Sequence, residues 1–165
     1  MSARTVIGID PGPVPGLVLL RFEPGVVLLQ AGAMQSTHQL LPEILEGLLT
    51  TQLDDDALVQ IERFVVGPRA ARSSTPTAGE QTRQVVWAVQ QVARRCDVEL
   101  VARNAVAVKL WATDQRLTAA GLTQMTKGMR HARDAARHAL FAAVDQAEAP
   151  DPLSRSGADF YERTT

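Results

Sequence analysis

Cys96 is the only cysteine among the 165 residues, so the chain has no internal disulfide. That points to a reducing cytoplasm as its home and to Cys96 as a small, buried apolar side chain. Long apolar runs are also missing: none approaches the roughly 20 residues of a membrane span. The chain enters a strand by Val6, which leaves no room for a signal peptide, and no membrane partner is expected. There are no internal repeats and no signs of a second domain. What is present, 45% hydrophobic and 21% charged residues, is the composition of a globular protein with its own core. We expect one domain over 1–148, followed by a polar, flexible tail over 149–165.

Net charge is low as well, at −1, which by itself argues against a nucleic-acid partner. The average conceals a split. Residues 60–140 hold 13 Arg or Lys against six acids, while the remainder holds four basic and 12 acidic residues. A basic region around a few carboxylates suits a site that handles a phosphodiester; an unevenly charged solvated surface would look the same.

The chain opens on Val6-Ile7-Gly8-Ile9-Asp10-Pro11-Gly12, an apolar strand over 5–10 that delivers an aspartate and is stopped by Pro-Gly. Runs at 17–22 and 26–31, joined by Glu23-Pro24-Gly25, predict a hairpin and, with the first strand, an antiparallel meander. Ser36 and Thr37 can cap a helix over 38–50, and Asp54-Asp55-Asp56 reads as a solvated turn before a strand over 57–62 that ends at Glu62. Residues 65–78 have the composition of a long, mobile, basic loop. A helix over 79–95 follows, then a strand over 98–102, helical pieces near 105–112 and 114–121, and a final helix over about 128–147. Trp87 lies off the apolar stripe of its helix and can serve either core or contact surface; Trp111 reads as core. The sum is a mixed five-stranded α/β sheet flanked by helices.

Asp10 and Glu62 both end strands that run from an apolar interior to a loop. A helical crossover between them makes the strands parallel and brings both acids to one edge. His131 and Asp134, three apart in the last helix, share a face. Each signal alone has an ordinary explanation: a turn, a core exit, a solvated helix face. Together they describe carboxylates that can stay ionised side by side only around a cation, and oxygen donors with one imidazole suit Mg²⁺ or Mn²⁺. His138, one turn beyond Asp134, is the second-choice histidine.

Gly8-Ile9-Asp10-Pro11-Gly12, the Ile61-Glu62 strand end and His131-Ala132-Arg133-Asp134-Ala135-Ala136 resemble the RuvC family of Holliday junction resolvases, within the RNase H-like superfamily. The resemblance runs to about residue 147, and the compact form is similar to phage-encoded members. It implies an RNase H-like fold and a homodimer that nicks a four-way junction at two symmetric positions, leaving 5′-phosphates, in DNA recombination and repair. It further implies Asp10, Glu62, His131 and Asp134 as catalytic, metal-binding residues around two ions about 4 Å apart. Asp10 would bridge the ions, Glu62 would hold one, and His131 and Asp134 the other. Arg69 and Arg72 in the basic loop are the first candidates for DNA contacts, then Lys109, Arg116, Lys127 and Arg130. Phe64 stands near where the family carries a junction-opening aromatic, and can equally be a core residue. Pro13-Val14-Pro15-Gly16 is shorter and richer in proline than the family's usual connection. The rival functions are a broader nuclease for flaps and forks, and a non-catalytic junction-binding protein.

Overall fold

The computed structural model describes residues 2–51, 56–64 and 76–162. Five strands form one sheet: β1 (Arg4–Asp10), β2 (Gly16–Glu23), β3 (Val27–Gln35), β4 (Ala57–Glu62) and β5 (Glu99–Arg103), in the order β3-β2-β1-β4-β5. The expected meander is there, with β1–β2 and β2–β3 antiparallel and the second hairpin closed by a turn in which Val26 donates to the Glu23 carbonyl. Helix α1 (Leu40–Thr51) carries the chain back so that β4 runs parallel to β1, and α2 (Pro76–Arg95) does the same for β5 against β4. Both crossovers follow from a simple constraint, since a parallel neighbour cannot be reached through a tight turn.

Strand periodicity then divides the side chains between two faces. Ile7, Ile9, Leu17, Leu19, Val59 and Ile61 point to α1 and α2 and pack with Leu41, Leu45, Leu49, Val85, Val89 and Val92. Val6, Val18, Leu20, Phe22 and Leu58 point the other way. There they meet α6 (Arg130–Gln146), preceded by the short helices α3 (Ala105–Trp111), α4 (Asp114–Ala119) and α5 (Leu122–Met125). Alanines at 132, 135, 136, 139, 142 and 143 make the contact surface of α6 thin. Gly8 completes the fit: a Cβ there would lie 2.2 Å from the Ala135 carbonyl oxygen and 2.4 Å from the Ala139 nitrogen. The backbone of α6 therefore rests directly on β1.

Residues 150–162, expected as part of a flexible tail, carry a short helix, α7 (Arg155–Tyr161), capped by the Ser154 hydroxyl, which accepts from the Gly157 N–H. Phe160 and Tyr161 are buried, and Phe160 meets Phe22 edge-on at 5.8 Å between ring centres. Two aromatics hidden behind a polar, proline-containing lead-in explain why composition reads as a loose end. Asp151 fixes the lead-in through a forked ion pair with Arg116, whose guanidinium also lies over the Trp111 ring. Trp111 is partly buried and packs edge-on against Phe141, as a core residue would. Trp87 is exposed, and Cys96 is half-buried against the α1/α2 core. Among the described residues no helix is long and apolar enough to cross a membrane.

Candidate active site

The site lies where β1 and β4 end. Their parallel register pairs Ile9 with Ile61, so Asp10 and Glu62, one residue further on, leave the sheet at the same edge and on the same, α6-facing side. Pro11 and Gly12 turn the chain away at once, and the Gly12 N–H donates to Asp10 Oδ1 at 2.9 Å. Asp10 itself is buried, at 6% exposure. Burial pushes its carboxyl pKa up, and the Glu62 charge adds to that; hydrogen bonds from His131 and Gly12 pull the other way. The net shift is upward, so this carboxylate is under-neutralised in the chain alone.

His131 is the group that faces it. Its Nδ1 donates to Asp10 Oδ2 at 2.8 Å. Gly12 makes the room, because a Cβ there would lie 2.7 Å from both Nδ1 and Cε1 of the imidazole. The helix bearing His131 starts without a side-chain cap of its own at Met129. Gln35, the last residue of β3, supplies one instead: its Oε1 accepts from the His131 N–H at 2.9 Å and the Ala132 N–H at 3.4 Å. The sheet thus sets where α6 begins, and that in turn sets His131 over Asp10.

Asp134 does not join them. Its Oδ1 is held by Arg137 Nη1 at 2.8 Å and Lys109 Nζ at 3.2 Å, and Arg137 also reaches Asp114. Among the described residues no three of the His, Cys, Asp and Glu side chains gather closely enough to hold a metal ion. The expected four-residue cluster is therefore split: Asp10 and Glu62 at the strand ends with His131 of α6 over Asp10, and Asp134 one helical turn along in its own ion pairs.

The basic residues also divide. Arg69 and Arg72 lie outside the described residues. Arg116 is engaged internally by Asp151 and Trp111, which is a structural role and not a free phosphate contact. Lys127 and Arg130 are exposed. Lys109, Arg130, Arg133 and Arg137 line one concavity of about 460 Å³ at the start of α6, with Asp134 as the only acid in its wall among the described residues. Phe64 is half-buried and lines a separate groove with Glu62, Arg63 and Arg83.

Sequence reading did not pick out four contributors. Gln35 looks like a strand end, and nothing in one chain reveals a cap supplied from 96 residues away. Arg133 and Arg137 were available by helical spacing from Arg130. Gln60 carried the clearest signal, an amide in the middle of Leu-Val-Gln-Ile, where a fully buried strand has no use for one unless it has a partner.

No protein-family model matches the chain, and no curated protein matches it in sequence. Solved structures do match. The chain is similar to T. thermophilus RuvC in complex with a Holliday junction substrate, at a TM-score of 0.55 and 19% identity, covering 87% of this chain and 96% of that one. A second Thermus thermophilus RuvC structure gives 0.56 and 19%, over 84% and 92%. At that identity the likeness is one of architecture, a mixed five-stranded sheet flanked by helices, and this chain has the RNase H-like fold in its RuvC-like form.

Proposed function

We propose that the protein is a structure-selective DNA endonuclease that resolves Holliday junctions by paired nicks. The observation that carries this is the parallel register of β1 and β4. It delivers a buried, under-neutralised Asp10 and Glu62 to one edge, with His131 on Asp10 and a strongly basic concavity alongside. A carboxylate pair of this kind calls for a cation, and its oxygen donors with one imidazole suit Mg²⁺ or Mn²⁺. Asp10, Glu62 and His131, which do not stand close enough together to hold an ion as they are, would have to draw together around it, with Asp134 available on release from Lys109 and Arg137. Two divalent ions there would supply charge neutralisation at the scissile phosphate and acidify the attacking water.

The remaining work falls to the chain's own residues. Lys109, Arg130, Arg133 and Arg137 bind and orient the phosphate backbone, a contact indifferent to sequence that leaves selectivity to the shape of the branch. Arg69 and Arg72, outside the described residues, would add to that grip. Phe64, beside Glu62, is the apolar group available to contact an unstacked base. One chain carries one such site, so two symmetric cuts require a second copy, and a two-fold homodimer matches a near-two-fold substrate.

The test is cleavage of a synthetic mobile four-way junction with Mg²⁺ or Mn²⁺, beside flap, fork and linear duplex, by wild type and Asp10→Asn. Paired nicks in the junction that vanish in the variant support the reading. Equal cutting of flaps and forks would replace it with a general branched-DNA nuclease. Binding of the junction by both proteins with no cutting would leave a junction-binding module.

A further inference from the structure

The α6 face of the sheet holds a polar pair that the site does not use directly. Gln60 and His138 are both fully buried, at 0% and 1% exposure. Gln60 Nε2 donates to the His138 carbonyl oxygen at 3.1 Å and lies 3.3 Å from His138 Nδ1. The opposite face of that imidazole ring looks toward the site: Nε2 is 3.7 Å from Glu62 Oε2 and has no hydrogen-bond partner among the described residues.

The two hydrogen bonds of Gln60 decide which ring nitrogen carries the proton. With the amide reversed, Oε1 would face the His138 carbonyl oxygen at 3.1 Å, acceptor against acceptor. In the arrangement found, the amide N–H₂ serves both the carbonyl and Nδ1, so Nδ1 is an acceptor and the proton sits on Nε2. A ring in that tautomer has no lone pair to offer a metal ion. It has an N–H aimed at a carboxylate, buried and otherwise unsatisfied. At 3.7 Å the bond is not made, yet Glu62 is a strand-end side chain with room to move, and a shift of under about 1 Å makes it.

We propose that Gln60 and His138 form a buried positioning relay for Glu62: Gln60 fixes the His138 tautomer, and His138 Nε2–H orients the Glu62 carboxylate toward the site. Glu62, Gln60 and Asp10 follow from alternate positions of two neighbouring strands, and His138 stands two turns along α6 from His131, so the relay is built on the same rigid elements as the site. Hydrogen bonds from a second layer that orient metal-binding carboxylates commonly change metal affinity about 10–100-fold. The role assigned to Glu62 rests on the nuclease reading; the tautomer and its hydrogen bond do not.

The experiment therefore has two arms. In metal-free wild-type protein, long-range ¹⁵N–¹H correlation spectra of the His138 ring are expected to show the Nε2–H tautomer, with a downfield Nε2 proton that moves upfield in Glu62→Gln. An Nδ1–H ring, or an Nε2 proton indifferent to Glu62→Gln, overturns the proposal. In the second arm Mn²⁺ affinity is measured by calorimetry. His138→Met, which keeps the volume and removes the donor, is expected to weaken binding at least about tenfold, and His138→Gln, which returns an N–H near Nε2, to recover most of it. Equal affinity in His138→Met and wild type overturns the relay, whereas a wild type with no Mn²⁺ affinity sinks the nuclease reading and leaves the spectra to decide the relay. If His138→Met fails to fold, the wild-type and Glu62→Gln spectra alone remain decisive.

Discussion

The two faces of the sheet are built to different rules. Toward α1 and α2, the fully buried apolar strand positions are Ile, Leu or Val, and the helices answer with Leu and Val. Toward α6, the same strands present Gly8, Asp10, Gln60 and Glu62 at alternate positions, against a helix that answers with alanines, His131 and His138. The first face can supply stability through bulk alone. The second brings a helix backbone into contact with the sheet, and so holds polar groups at fixed separations that long side chains would blur. One strand, β1, serves both purposes by alternating Ile7 and Ile9 with Gly8 and Asp10.

Substitution of single positions on β1 is the most direct way to break that contrast. Gly8→Ala puts a methyl group into the backbone of α6, where neither the Ala135 carbonyl nor the Ala139 N–H can move without lifting the helix. We expect a loss above about 4 kcal/mol, or no folded protein at all. On the other face, Ile9→Val should cost only about 0.5–1.5 kcal/mol, since a smaller aliphatic side chain leaves the packing scheme intact. Urea unfolding of both variants measures the difference. Comparable losses would mean that α6 is not seated on β1 as described.

Phe160→Ala extends the test to the edge of the α6 face. Phe160 is fully buried against Phe22, and its removal should cost about 3–5 kcal/mol, lowering the melting temperature by about 2–4 °C for each. An unchanged melt would return residues 150–162 to the status of a loose tail.

That tail marks where sequence reading gave out. The sheet, its two crossovers and the Asp10–Glu62 edge were all readable, because each rests on local signals: apolar alternation, Pro-Gly stops, and the rule that parallel neighbours need a crossover. Helix α7 has no such signal. Its two buried aromatics follow a polar, proline-containing stretch, and their partner Phe22 is more than a hundred residues distant. The site was legible in part for the same reason. Strand ends fix where Asp10 and Glu62 emerge, and spacing puts His131 and Asp134 on one helix. Spacing does not say how α6 is rotated about its axis, or that Lys109 and Arg137 stand closer to Asp134 than Asp10 does. Nor does a list of arginines separate Arg116, locked to Asp151 and Trp111, from Arg133 on an open concavity.

The contrast between the faces sharpens if a polar residue on the α6 side proves costly to stability. Asp10→Asn removes a buried charge that sits beside Glu62 while keeping an amide oxygen for Gly12 or His131. In metal-free protein we expect a gain of about 1 kcal/mol, roughly 2–4 °C in melting temperature, in the same variant that loses cleavage. Thermal melts in excess chelator check it. A destabilised Asp10→Asn would make Asp10 a structural residue first, and remove the argument that it awaits a cation.

The smallest expected effect concerns an acid of the opposite kind. Arg116 holds the Asp151 carboxyl below the ordinary carboxylate range through its forked hydrogen bonds, and the Leu153 N–H assists. A depressed folded pKa means that the pair stabilises the protein at pH values above the unfolded carboxylate pKa of about 3.8, and that this contribution fades as pH falls through the folded value. Asp151 is about a third exposed, with a side-chain exposure of 32%, so solvent screening limits the pair to about 0–1 kcal/mol. Asp151→Asn should therefore lower the melting temperature slightly at pH 7, by an amount that shrinks as pH falls below the unfolded carboxylate value and vanishes once pH is below the depressed folded pKa, where the wild type has lost the same interaction. Melts across that range would read the difference directly. If the gap between the two proteins persisted in acid, the contribution of Asp151 would come from its hydrogen bonds to the lead-in of α7 and not from its charge. The outer edge of the α6 face would then be held, like its interior, by geometry more than by electrostatics.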